Sequence, residues 1–207
     1  LEHTASELAL LIHAISVVGF VFDLHSSCEN LHRKIFLAVP KLSRIPTMSN
    51  PALSASPDGN FAAALNANSG GWNMAMGIQF VLATADEVIA ELEIGPQHHQ
   101  PYGIVHGGVH AGLVETAAST GAALAALPRG QSVVGLENNT SFLNAVRAGK
   151  LRATARPLMR GRRTQVWEAT VTDSAGRTVA TGRVRLLALE AGSALAGETV
   201  KVKDGAV

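Results

Sequence analysis

The sequence predicts an α+β domain in which a curved antiparallel β-sheet wraps around a long central α-helix. Three observations carry this expectation. A glycine-rich turn, His106-Gly107-Gly108, opens an apolar, alanine-rich segment that ends at Pro128-Arg129-Gly130. Four strand-like segments follow with short connections, which implies antiparallel neighbours. Two more strand-like segments precede the turn, so the order is two strands, one helix and four strands.

Taken in order, residues 1–58 read as an amino-terminal extension, 59–189 as the functional domain and 190–207 as a tail. The apolar run 8–22 is shorter than the roughly 20 residues that cross a bilayer and has no basic residue before it, so no membrane role is expected. Met48 begins a polar stretch that resembles an ordinary start, which makes 1–47 a candidate upstream extension. Residues 59–68 fit a short helix stopped by Gly70-Gly71. Segments 74–84 and 88–95 read as a hairpin, the second alternating through Val88, Ala90, Leu92 and Ile94. The helix is expected over 108–127, and the four strands over 132–143, 149–159, 163–173 and 177–189.

Composition narrows the function. A hydrophobic content of 47 % can fill a sizeable core, and the single cysteine, Cys28, excludes an intrachain disulfide and fits a cytoplasmic protein. A formal charge of +1 with few aromatic residues gives no reason to expect nucleic acid. Charge is nevertheless segregated. Residues 45–128 carry six acids and no lysine or arginine, whereas 129–189 carry eleven basic side chains against three acids. Those bases are candidates for phosphates on a ligand, or for acids on the amino-terminal part of a neighbouring subunit.

The helix start presents free backbone N–H groups that can hold a carbonyl oxygen gathering negative charge. Glu115 supplies a carboxylate in the helix body with no basic neighbour there, and burying it unpartnered would be costly. Eight helical residues separate Gly107 from Glu115 by roughly 12 Å. The two cannot reach one carbonyl within one chain, so a working site would pair Gly107 of one subunit with Glu115 of another. Bland readings stand beside these: a tight helix entry for Gly107 and Gly108, and a hydrogen-bonding role across a dimer for Glu115. His98, His99, His106 and His110 lack a compelling metal-ligand pattern.

From about residue 70 to 189 the chain resembles the hotdog-fold thioesterases, specifically the PaaI-like group and its 4-hydroxybenzoyl-CoA thioesterase relatives. The resemblance rests on His106-Gly107-Gly108, on Glu115 eight positions after the first glycine, on Gln100 seven before it, and on Ser119 one turn after the acid. It implies hydrolysis of an acyl-CoA or aryl-CoA thioester without a cofactor or metal, in a homodimer assembled into a homotetramer, with sites at dimer interfaces. Glu115 would be general base or nucleophile, the Gly107 N–H would polarise the carbonyl, Gln100 and Ser119 would position the reacting groups, and His106 would hold the turn. Substrate contacts are expected at Gly108, Asn73, Arg160, Arg162, Arg163 and Arg183. A non-catalytic acyl-CoA binding protein and a hotdog hydratase or dehydratase are the alternatives.

Overall fold

The computed structural model describes residues 55–199. The expectations for the run 8–22, Cys28, a start at Met48 and the last eight residues lie outside the described residues. Two short helices, α1 (Ala62–Ala67) and α2 (Gly71–Ala75), precede the hairpin of β1 (Gln79–Ala83) and β2 (Val88–Glu93). Helix α3 (Gly107–Ala126) follows, then β3 (Ser132–Phe142), β4 (Lys150–Arg160), β5 (Thr164–Thr172) and β6 (Thr178–Leu189), and finally the two-residue strands β7 (Ala194–Leu195) and β8 (Glu198–Thr199).

The first predicted strand is shortened by five residues at its start, because α2 takes its opening residues and Gly77 turns the chain with φ +65°. Beyond Gly77, the Asn66 side chain pairs with both backbone groups of Phe80, donating to its carbonyl at 2.8 Å and accepting from its N–H at 2.8 Å. A side-chain amide thus stands in for a neighbouring strand on that edge.

All six long strands form one antiparallel sheet in the order β1-β2-β4-β5-β6-β3. It is not strongly curled, which corrects the expected wrapping around the helix. Helix α3 lies against one face of an open sheet whose margins, β1 and β3, pair with no further strand among the described residues. Side-chain size supplies a reason. Ala153, Ala155, Ala169 and Ala180 of the sheet meet Ala117, Ala118, Gly121 and Ala122 of the helix, all buried, so the layers approach closely with little curvature. A Cβ on Gly121 would lie 2.4 Å from Trp167 Cη2. The buried Trp167 indole donates to Gln165 Oε1 at 3.0 Å, and Gln165 Nε2 donates to the Ala122 carbonyl at 3.0 Å, tying sheet to helix with no polar atom wasted.

Ion pairs between β4 and the β1–β2 hairpin explain the segregated charge. Lys150 and Arg152 of β4 pair with Glu91 of β2, Arg156 pairs with Glu87, and Arg160 pairs with Asp86 at 2.8 Å. Acids of the amino-terminal part and bases of the carboxy-terminal part therefore meet within one chain, because β2 and β4 are sheet neighbours. The hydrogen bond from Lys150, with Arg152 beside it, holds the Glu91 carboxyl below its ordinary range.

Candidate active site

Helix α3 begins where the sequence places it. His106 caps the helix with extended backbone, and its Nδ1 accepts from the Gly108 N–H at 2.9 Å. The Val109 N–H donates to the His106 carbonyl at 2.9 Å. The Gly107 N–H finds no acceptor among the described residues, so it is the open donor of this helix start. It faces a cavity of about 440 Å³ lined by Gln100, Ile104, His106, Gly107, Gly108, His110, Phe142 and Asn144, among others. A side chain at 107 would meet the exposed Phe142 ring, which would have to shift: a Cβ there would lie 2.9 Å from Phe142 Cε2.

The loop forming the cavity rim is braced. Gln100 donates its backbone N–H to the Ile104 carbonyl at 2.9 Å, leaving its side chain on the cavity wall. Arg147 Nη1 donates to the carbonyls of Tyr102 and Gly103 at 3.0 and 2.9 Å. His99 Nε2 donates to the Arg147 carbonyl at 2.7 Å, and buried His98 accepts from the Gly95 N–H at 2.8 Å through Nδ1 and donates through Nε2 to the Met76 carbonyl at 3.1 Å. His110 differs from these. Its ring is buried, Nδ1 has no partner among the described residues, and desolvation holds the imidazole below the ordinary histidine range.

Glu115 lies two turns further on and does not line that cavity. Its Oε1 accepts from Ser119 Oγ at 3.0 Å, the one-turn pairing that the spacing predicts. Its Oε2 accepts from Asn138 Nδ2 at 2.9 Å. The sequence reading missed Asn138, and the cause is a β-bulge. Val133 and Gly135 pair with the helix-facing residues Ala188 and Leu186, and strict alternation would turn Glu137 toward the helix next. The register shifts between Gly135 and Glu137. Leu136 is the extra residue, so Asn138, Thr140 and Phe142 take the helix side, while Glu137 turns outward and pairs with Arg185 at 3.0 Å. An isolated glycine inside a strand was the available signal. Gly135 is also the residue that admits the carboxylate, since a Cβ there would lie 2.7 Å from Glu115 Oε1.

Known proteins resemble this chain over the same region. The family described as the thioesterase superfamily matches residues 102–180. The candidate esterase Rv1847 of Mycobacterium tuberculosis is 44 % identical over 118 residues, covering 56 % of this chain and 84 % of that protein. The proofreading thioesterase EntH of Klebsiella pneumoniae is 41 % identical over 123 residues, covering 59 % and 89 %. The chain belongs to the hotdog-fold thioesterase superfamily. Among solved structures, that of Rv1847 superposes on the thioesterase with a TM-score of 0.57 at 42 % identity, covering 58 % of this chain and 97 % of that one. Thioesterase HI1161 of Haemophilus influenzae superposes with a TM-score of 0.60 at 29 % identity, covering 67 % and 94 %.

The remaining predicted positions of the thioesterase spread over both sheet faces. Asn73 sits in α2, where its Oδ1 accepts from Thr116 Oγ1 at 3.3 Å. Arg160 is bound to Asp86, and Arg162 approaches Glu190 at 3.7 Å. Arg183 pairs with Glu168 at 3.3 Å beside a polar recess of about 410 Å³ that also holds Glu137 and Asn139. No carboxylate among the described residues pairs with Arg163.

Proposed function

We propose that this enzyme hydrolyses an acyl-CoA or aryl-CoA thioester to the free acid and coenzyme A, in sites shared between two subunits. The observation that carries the reading is the separation of an unclaimed Gly107 N–H, in its cavity, from a Glu115 carboxylate held by hydrogen bonds on the same helix. Each is half of an acyl-transfer site, and helix geometry keeps them roughly 12 Å apart.

In the shared site the thioester oxygen accepts from Gly107 of one subunit, and negative charge gathers there as the carbonyl is attacked. Glu115 of the other subunit takes the proton of the attacking water, or attacks the carbonyl carbon itself to give a mixed anhydride that water then opens. In both routes the C–S bond breaks, coenzyme A leaves as the thiolate and takes up a proton. His106 fixes the turn, Gln100 and Gly108 line the thioester's cavity, and Ser119 orients Glu115. Strand β3 supports the pairing of subunits. It is an eleven-residue sheet margin that exposes Leu136, which follows the Gly135 that meets Glu115, and Phe142, whose ring meets Gly107. The homotetramer would then be a pairing of two such dimers. The 1,4-dihydroxy-2-naphthoyl-CoA hydrolase of Listeria monocytogenes, 39 % identical over 108 residues, covering 52 % of this chain and 87 % of that protein, favours an aryl group.

Mixing subunits tests the shared site. Glu115→Gln and Gly107→Val proteins are each expected to be nearly inactive. A mixed dimer contains one site with both lesions and one with neither, so equal mixing restores about one quarter of normal activity, half of the dimers being mixed and half of their sites intact. Mixed dimers verified by mass that show no recovery rule the shared site out.

A further inference from the structure

We propose that Asn138 is a positioning residue for Glu115, and that the bulge at Leu136 is the backbone device that brings it there. The proposal rests on the reading of Glu115 as the acting carboxylate. Both hydrogens of the Asn138 amide are used: one goes to Glu115 Oε2 at 2.9 Å and the other to the Ala111 carbonyl at 3.1 Å. Its Oδ1 accepts from Thr140 Oγ1 at 2.6 Å. A flipped amide would set Oδ1 against two acceptors and its NH2 group toward the threonine, so one orientation is enforced.

The consequence is a measured placement. Ala111 stands one helical turn before Glu115 on the same face, so Asn138 fixes the carboxylate relative to the backbone of its own helix. Ser119 holds the other oxygen, also from one turn away. A flexible glutamate on a partly exposed helix face thereby loses rotamer freedom before substrate arrives, which is the preorganisation a general base or nucleophile needs. Removing a donor from a carboxylate raises its affinity for a proton, so loss of Asn138 can be read in a pH profile. Without the bulge, strict alternation would bring Glu137 to this place, setting a second carboxylate beside Glu115 in place of the amide donor.

The test is the pH dependence of kcat and KM in the full chain, using the acyl-CoA that the wild type turns over. Asn138→Ala is expected to lower kcat about ten- to hundredfold while KM stays within about threefold, and to move the acid limb of the kcat profile to higher pH. Asn138→Asp keeps the shape, replaces the donor by a carboxylate, and moves the limb further. Thr140→Val, which only frees the Asn138 amide, moves it in the same direction by less. A merely structural Asn138 would lower activity without moving the limb. Wild-type kcat and an unmoved limb in the Asn138 variants, or in Thr140→Val should those variants not fold, overturn the proposal. Glu115→Gln separates the two levels: if it is inactive while the Asn138 variants are normal, only Asn138 loses its role; if it turns over normally, the Glu115 reading itself fails.

Discussion

The first and third turns of helix α3 are built in opposite ways. At the first turn a backbone donor is left open, its neighbours' N–H groups are consumed by His106, and a cavity stands in front of it. At the third turn both carboxylate oxygens are held, by Ser119 and Asn138, on a partly exposed face beside a free sheet edge. An open donor waits for a ligand atom; a clamped acid waits for a geometry that one chain does not complete. On the proposed reading, two unlike halves on one rigid element serve a site shared between subunits. Every change that treats the halves differently therefore tests the idea.

The largest expected effect is a kinetic split. Glu115→Gln removes the base or nucleophile at nearly constant volume, so kcat should fall about a hundred- to ten-thousandfold while KM changes little. Gly107→Val acts at the other half. Its side chain enters the space held by the Phe142 ring and crowds the cavity, so KM should rise along with the loss in kcat. Steady-state kinetics on both variants decide this. Equal KM values in the two would mean that the cavity at the first turn does not receive the thioester.

What the sequence could tell about these regions divides along the same line. The helix, its glycine start and the Glu115–Ser119 pairing are local, with partners within four residues, and they were legible from spacing. Asn138 was not, since a one-residue bulge inverts the facing of half a strand and polar residues from Glu137 to Ser141 give no apolar alternation to reveal the phase. The sheet's shallow curvature was also hidden, because it depends on how small residues of helix and sheet meet across the core. The segregated charge was visible, yet its partners emerged only when the strand order put β2 beside β4.

A smaller effect separates the two halves by pH. His110, in the first turn, is buried without a partner for Nδ1 among the described residues, and desolvation lowers its affinity for a proton. Its unfolded value is near 6.5, so below that pH the unfolded chain binds the proton first. Its contribution is complete above about pH 6.5 and is lost as pH falls through the lower folded value, with a slope of at most about 1.4 kcal/mol per pH unit. His110→Phe should flatten the stability profile between pH 5 and 7, as read from urea midpoints. A slope unchanged in that variant would assign the acid sensitivity to other groups.

The smallest expected effect concerns the arginines proposed to meet coenzyme A. Arg183 is already neutralised by Glu168, and its recess also contains Glu137, so a phosphate arriving there would meet two carboxylates for one guanidinium. Arg163 is exposed and has no carboxylate partner among the described residues, so its charge is the more available of the two. If the basic strands serve the phosphates, Arg163→Ala should raise KM about three- to tenfold and weaken its salt dependence, whereas Arg183→Ala should change it less than about twofold. Neither should alter kcat, because both lie away from the Glu115 and Gly107 halves. The reverse order would place the phosphates over the polar recess and require a partner's basic groups to offset its acids. Indifference of KM to both substitutions and to ionic strength would leave the arginines with the sheet-surface ion pairs alone.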